Sequence, residues 1–383
     1  MNRRQFIYGL LSSLAIAHSK KNFANTFNTN QKVLILIELK GGNDGLNTFV
    51  PFNDPMYQKL RPKLALTKDE VISFDKDIYL HKSLKKWKSL WNNKDLAIVQ
   101  GLGYDEPIRS HFRSIDIWDT ASDSDEFLNH GWMNDSLAFK KSLYDFEGLI
   151  LGNSDPGPLQ GGDIQSLVIK NQKQFLKRAK KIKKSKRPIM NNSLAHFDSI
   201  QSDIQRSYQM IQNKMNKSLQ LTEFSKDKLS RSLKSAAEFI ISGINVPVIK
   251  ITHGGFDTHS NQKNTHARLL KQLATATTSF KEALIKHNLW DKVTLATYSE
   301  FGRRAEENGS KGSDHGTANT HFVMGANVKG GLYGQKIDLT NLINKDLVHT
   351  NDFRNYLKTL IEKGLDIEAP LRLKKFSNLN FIT

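Results

Sequence analysis

Val33-Leu34-Ile35-Leu36-Ile37-Glu38-Leu39 runs without interruption into Lys40-Gly41-Gly42-Asn43-Asp44-Gly45. A short run of branched apolar residues stopped by paired glycines reads as a strand buried on both faces and followed by a sharp turn, the pattern of a parallel sheet. The same grammar recurs along the chain. Leu96 to Gln100 is followed by Arg109-Ser110-His111, Val246 to Thr252 by His253 and Asp257-Thr258-His259, and Val293 to Tyr298 by Ser299-Glu300-Phe301-Gly302-Arg303. Asp314-His315-Gly316 sits just ahead of His321 to Ala326, so His315 must reach the same place from a loop. In an open α/β sheet, ligands bind outside the carboxyl ends of the strands, where residues distant in sequence meet. The spacing therefore predicts a three-layer α/β/α sandwich with a mostly parallel central sheet and one site along its carboxyl edge.

Helical spacing fills the intervals. Ser83 to Trp91, Leu194 to Leu221, Ser225 to Ile244 and Lys263 to His287 carry apolar residues on one face, and Asn351 to Lys363 reads as a closing helix with Asn351 and Asp352 as cap residues. Gly148 to Gly162 reads as loop. The middle of the chain, approximately residues 150–244, is expected to form a helical, basic insertion or cap over a sheet built by the flanking parts.

The first residues are set apart. Arg3-Arg4-Gln5-Phe6-Ile7 precedes a short apolar run ending Ala15-Ile16-Ala17, the grammar of a twin-arginine (Tat) signal peptide. Residues 1–30 are read as signal and polar linker and residues 31–383 as one domain. The expected location is the periplasm or outside the cell, after passage through the Tat translocase, with no transmembrane segment. The chain has no cysteine, which removes thiolate metal sites and thiol nucleophiles and leaves carboxylates, imidazoles and hydroxyls for chemistry.

The formal charge of +18 is uneven, because Lys170 to Arg187 holds ten basic residues and no acidic one, leaving 18 − 10 = +8 for the rest. Such a run is a solvated, mobile face or an arm that contacts an anionic surface polymer or lipid headgroups. No motif points to specific nucleic-acid binding.

Asp44, Asp257, His259, Glu300 and His315 are the candidate metal ligands. Oxygen and nitrogen donors without sulfur suit hard or borderline divalent ions, with Zn, Mn, Mg and Ca all open. Asp257 and His259, two apart in extended chain, put both side chains on one side. His253 and His266 read as packed histidines. Ser110 is the candidate nucleophile, placed after Pro107 at a helix start where backbone N–H groups favour an anion; the alternative is a helix cap, and Ser114 is a second choice. Arg303 is the candidate clamp for a phosphate- or sulfate-like group, the alternative being a structural ion pair.

The segments Leu39 to Thr48, Arg109 to Phe112, Gly254 to Gln262, Ser299 to Arg303 and Asp314 to Gly316 together resemble the DUF1501 family, placed in the alkaline phosphatase-like superfamily. That resemblance implies two divalent metals clamping a phosphate- or sulfate-like group while a Ser attacks, Asp44 and Glu300 holding one along with Ser110, and Asp257, His259 and His315 the other. The sequence departs from the superfamily pattern in two places. Glu300-Phe301 stands where an Asp-His pair is usual, and Asp257 and His259 are two apart instead of four. The resulting expectation is an exported metal-dependent hydrolase of a small or polymeric anionic ester, a phosphate ester first. The alternatives are a non-catalytic metal-binding protein that holds an anionic surface polymer, and a sulfate ester hydrolase; Phe112 stands where a formylglycine context needs Pro or Ala.

Overall fold

The computed structural model describes residues 31–140, 144–181, 192–215, 219 and 221–383. The twin-arginine segment, the linker to Asn30 and residues 182–187 of the basic run lie outside them. The main sheet contains β1 (Val33–Lys40), β2 (Leu96–Gly103), β3 (Gly148–Leu151), β4 (Ser166–Ile169), β5 (Val248–Gly254), β6 (Val293–Tyr298), β7 (Asn319–Met324), β8 (Gly331–Tyr333) and β9 (Asn351–Asp352). Its order is β8-β2-β7-β6-β1-β5-β3-β4, with β9 also paired to β2. β7 alone runs against its neighbours; the other pairings are parallel.

β1 is the axis. Leu34 pairs with Val248 of β5 on one side and with Thr294 of β6 on the other. Its side chains alternate between two cores. Ile35, Ile37 and Leu39 pack with Lys82–Asn92 and with α4 (Lys228–Ile241) and α5 (Gln262–Lys286). Leu34 and Leu36 face the core of α1 (His111–Thr120), the helix Trp132–Leu137 and α6 (Phe353–Thr359). The remaining labelled helices are α2 (Gln172–Ala179) and α3 (Asn192–Met215). Helices thus cover both faces of a mainly parallel sheet, which explains why its strands read as unbroken apolar runs.

Several sequence expectations shift. Pro247 has no N–H to give a ladder, so β5 opens at Val248 instead of Val246 while the Pro247 carbonyl still accepts from Leu34 N–H at 2.8 Å. Gly148 to Gly162 is not all loop, because Gly148–Leu151 forms β3. The region 150–244 is therefore no cap over a sheet made by others: with β4 it extends the sheet by two strands, and α4 packs on β5 and α5. Four-residue strands flanked by glycine and proline carry too little pattern to announce themselves. The first half of the basic run is also not a mobile arm, since α2 is capped by Asn171 and buries Ala179 against Ile204 of α3. No helix among the described residues is long and apolar enough to cross a membrane.

Candidate metal centre

The carboxyl ends of β1, β2, β5 and β6 lie along one edge, and the reversed β7 begins there. That reversal is why His315 can precede its strand and still belong to the same crevice as residues that follow theirs. The Gly41-Gly42 turn fits only without side chains: both residues have positive φ, and a Cβ would run into the Asp257 backbone at Gly41 and the Phe301 ring at Gly42. The Asp314-His315 loop is fixed by a bridge between His315 and Arg303, with Gly316 N–H donating to Gly302 O at 2.9 Å.

Three imidazoles converge on Asp257. His259 Nε2 and His315 Nε2 lie 2.9 and 3.1 Å from Asp257 Oδ1 and 3.0 Å from each other. His111 Nε2 lies 3.4 Å from Asp257 Oδ2, and the ligand atoms of His111, Asp257 and His315 all fall within 4.8 Å of one another. The opposite nitrogen of each ring is tied to an oxygen: His111 Nδ1 to Glu300 Oε1 at 2.9 Å, His259 Nδ1 to Asp314 Oδ1 at 3.2 Å, and His315 Nδ1 to the Arg109 carbonyl at 2.9 Å. Ionised carboxylate and carbonyl oxygens only accept, so each Nδ1 carries a proton and Nε2 is the nitrogen each ring presents toward Asp257.

Three imidazole nitrogens and a carboxylate gathered at one point make a donor set that could hold a divalent cation. The shortest spacings, 2.9 to 3.4 Å, compare with about 3.3 Å between ligands held at about 2.0–2.1 Å in a tetrahedron. The tied Nδ1 atoms are the outer contacts that orient histidine ligands. Asp257 and His259 keep 45% and 43% of their side-chain surface exposed, so the cluster opens to solvent on one side. Burial would raise the Asp257 pKa, but hydrogen bonds from His315 and Arg303 and the neighbouring charges bring it down to about 2. The hydrogen bond to Glu300 raises that of His111, and burial lowers that of His315.

His111 is the candidate ligand that sequence reasoning missed. The absence of a histidine beside Glu300 was the signal that a nitrogen had to come from elsewhere. Phe301 forms the floor, its ring 4.4 Å from that of His315 and 4.9 Å from that of His111. Asn308 was also missed: its Nδ2 donates to Asp314 Oδ1 at 3.0 Å and to the His259 carbonyl at 2.9 Å.

The other expected residues stand differently. Glu300 is 1% exposed and serves as an anchor, accepting from Gly41 and Gly42 N–H at 2.8 and 3.2 Å while it holds His111. Asp44, expected to hold a metal along with Glu300 and Ser110, is buried and faces Arg61 Nη1 at 2.7 Å and Gln262 Nε2. Burial pushes its pKa up, but the charges of Arg61 and His266 and the hydrogen bonds from Arg61 and Gln262 together make the net shift downward. Arg303 is 1% exposed, and its guanidinium donates to the carbonyls of Gly41, Gly42, Phe256 and Ser313 and to Asp257 Oδ1. A side chain so enclosed braces the loops and cannot clamp substrate. At the rim stand Arg109, exposed, and Arg304, half-buried, both paired with Asp346.

Ser110 occupies the N-cap position of α1, is exposed, and makes no side-chain cap bond. Ser114 is buried with its hydroxyl donating to Ile108 O. His253 and His266 are packed side chains, bonded to Leu269 O and Asn43 Oδ1.

The family model described as "Protein of unknown function (DUF1501)" matches residues 154–369, more than half of the chain, and the chain belongs to that family. The match starts beyond the Gly41-Gly42 turn and Ser110. Among solved structures, Ps i-CgsB in complex with k-i-k-neocarrahexaose is similar at 12% identity and a TM-score of 0.45, covering 91% of this chain and 75% of that one. A protein in the alkaline phosphatase superfamily from Vibrio parahaemolyticus is similar at 10% identity and 0.38, covering 88% and 73%. The C-terminal periplasmic domain of EcEptC from Escherichia coli, in complex with Zn, is similar at 10% and 0.38, covering 81% and 76%. No curated protein matches the chain.

Proposed function

We propose that this DUF1501 protein is a metal-dependent hydrolase that cleaves a phosphate ester at the carboxyl edge of its sheet. The observation that carries the reading is the inward aim of three Nε2 atoms at Asp257, each ring fixed by an oxygen behind it. His111, Asp257, His259 and His315 would hold one divalent cation, and the nitrogen-rich donor set favours zinc or a similar borderline ion. When bound, that cation supplies Lewis acidity toward a phosphoryl oxygen. The pairing of Asp44 with Arg61 and the anchoring use of Glu300 argue for one cation instead of two.

Ser110 is the proposed nucleophile. Its hydroxyl is uncommitted, it precedes the ligand His111 directly, and the free N–H groups at the start of α1 favour the anionic group under attack. Attack by Ser110 Oγ on phosphorus would break the ester bond and leave a phosphoseryl link for water to cleave. Arg109, 40% exposed beside Ser110, would draw in the anionic substrate. The twin arginine near the start of the chain supports a workplace in the periplasm or outside the cell, checked by fractionation of cells carrying Arg3→Lys/Arg4→Lys.

The deciding experiment measures metal content by elemental analysis alongside turnover of phosphomonoesters, phosphodiesters and sulfate esters. About one equivalent of metal, lost in His259→Ala together with phosphate ester turnover, is expected. Metal without turnover of any ester would favour a binding protein, and turnover of sulfate esters alone a sulfatase. Protein that takes up no metal removes the proposal.

A further inference from the structure

Next to β5, on the side away from β1, the carboxyl ends of β3 and β4 open into a cleft of about 380 Å³ that the proposed chemistry does not use. Lys170 and Lys173 enter it from the β4–α2 junction, and Lys228, Arg231 and Lys234 from the first turns of α4. Against these five cations the lining holds one carboxylate, Glu238, for a local balance of 5 − 1 = +4. Glu238 lies 3.9 Å from Lys234. Among the described residues no ion pair engages Lys170, Lys173, Lys228 or Arg231. The two walls are fixed to each other, because Ser235 Oγ donates to Gln172 Oε1 at 2.7 Å.

Five like charges gathered on two tied elements repel one another, and a solvated lysine face gives no reason to collect them in a concavity. An anion bearing several charges removes that repulsion. Concavity argues against a membrane surface: the apolar lining residues Leu151 and Ile169 are 1% and 2% exposed, so nothing apolar protrudes to enter a bilayer. Lys177, Arg178, Lys180 and Lys181 follow directly and are exposed, which suits a ligand longer than the cleft. Neighbouring strands lie about 4.8 Å apart, so the floor at β3 and β4 begins within about 10 Å of the end of β5, whose loop carries Asp257.

We propose that this cleft binds a segment of an anionic polymer bearing sulfate or phosphate groups, alongside the metal centre and independently of it. The inference stands on the cleft residues and does not need the hydrolytic reading. It is tested with the full chain by titrating labelled dextran sulfate and polyphosphate, with neutral dextran, inorganic phosphate and anionic phospholipid vesicles as comparisons. At least one of the two polyanions should bind with affinity that falls steeply with salt, and the pair of titrations shows which anionic group is preferred. Lys173→Gln/Lys228→Gln/Arg231→Gln should weaken binding at least tenfold without changing the thermal midpoint or the metal content, since all three side chains are exposed. Lys68→Gln/Lys76→Gln/Lys336→Gln removes the same charge from exposed sites elsewhere and should leave binding near the parent value. Equal losses in the two triple variants, equal binding of neutral dextran, or binding to vesicles or inorganic phosphate but to neither polymer would overturn the proposal.

Discussion

His111 Nδ1 stands 2.9 Å from Glu300 Oε1, joining the first residue of a helix to the end of a strand 189 positions later. The contact turns the other ring nitrogen toward Asp257, so an inaccessible carboxylate sets the direction of a candidate ligand. It also explains how a chain with Glu300-Phe301 in place of an Asp-His pair can still present a nitrogen at that point.

Glu300→Gln should therefore lower metal affinity by roughly ten- to a hundredfold, the usual cost of losing an outer carboxylate behind a histidine ligand. The amide keeps one acceptor for the Gly41 or Gly42 N–H, so the fold should persist. Competition with a chromogenic chelator measures the affinity, and an unchanged value would remove Glu300 from the support of the site.

Arg303→Ala should destabilise the protein by about 3–5 kcal/mol, because it strips a buried guanidinium from four carbonyls and from Asp257. A substrate clamp would behave oppositely, raising KM while leaving the denaturation midpoint alone. Urea unfolding beside steady-state kinetics separates the two.

The strand ends were legible because parallel strands buried on both faces leave unbroken apolar runs, and turns such as Gly41-Gly42 stop them sharply. The pairing of side chains beyond those ends was not legible. Arg61 sits in a loop with no periodic signal, so nothing in the sequence says that it will neutralise Asp44 before any cation can. Arg303 and Arg304 are adjacent and chemically identical, yet one is enclosed by five acceptors and the other lies at the rim, a difference set by the fold of Asp314 to Gly316 against Gly302 to Arg304. His111 looked like an ordinary first-turn residue because its partner Glu300 is distant in sequence.

Acid should weaken the fold through histidines held neutral in the core. His321 is fully buried, neither ring nitrogen has a hydrogen-bond partner, and burial lowers its pKa to about 3 from the ordinary 6.5. Burial acts on His81 and His266 in the same direction, to about 4 and about 3. The unfolded chain takes up protons that the native state refuses, so this contribution is fully present above pH 6.5 and is lost progressively as pH falls toward 3. His321→Leu should raise stability by roughly 1–3 kcal/mol near neutral pH by removing unsatisfied polar atoms, and should flatten the loss over that window. Thermal midpoints measured from pH 7 to pH 4 check both statements, and a parallel decline in parent and variant would show that His321 does not contribute to the slope.

Ser110→Ala gives the sharpest separation of readings. A serine that caps a helix through its hydroxyl typically costs about 1 kcal/mol when replaced by alanine. Ser110 makes no such bond, so its loss should leave the thermal midpoint within error of the parent. Metal content should also persist, because the ligands His111, Asp257, His259 and His315 are untouched. Turnover of a phosphate ester should nevertheless fall by several orders of magnitude, since binding cannot replace a missing nucleophile. Quenched incubation of the parent with labelled substrate should leave phosphate on Ser110 and none in the variant. A variant that keeps full activity would exclude the covalent route and point to direct attack by water at the same four ligands.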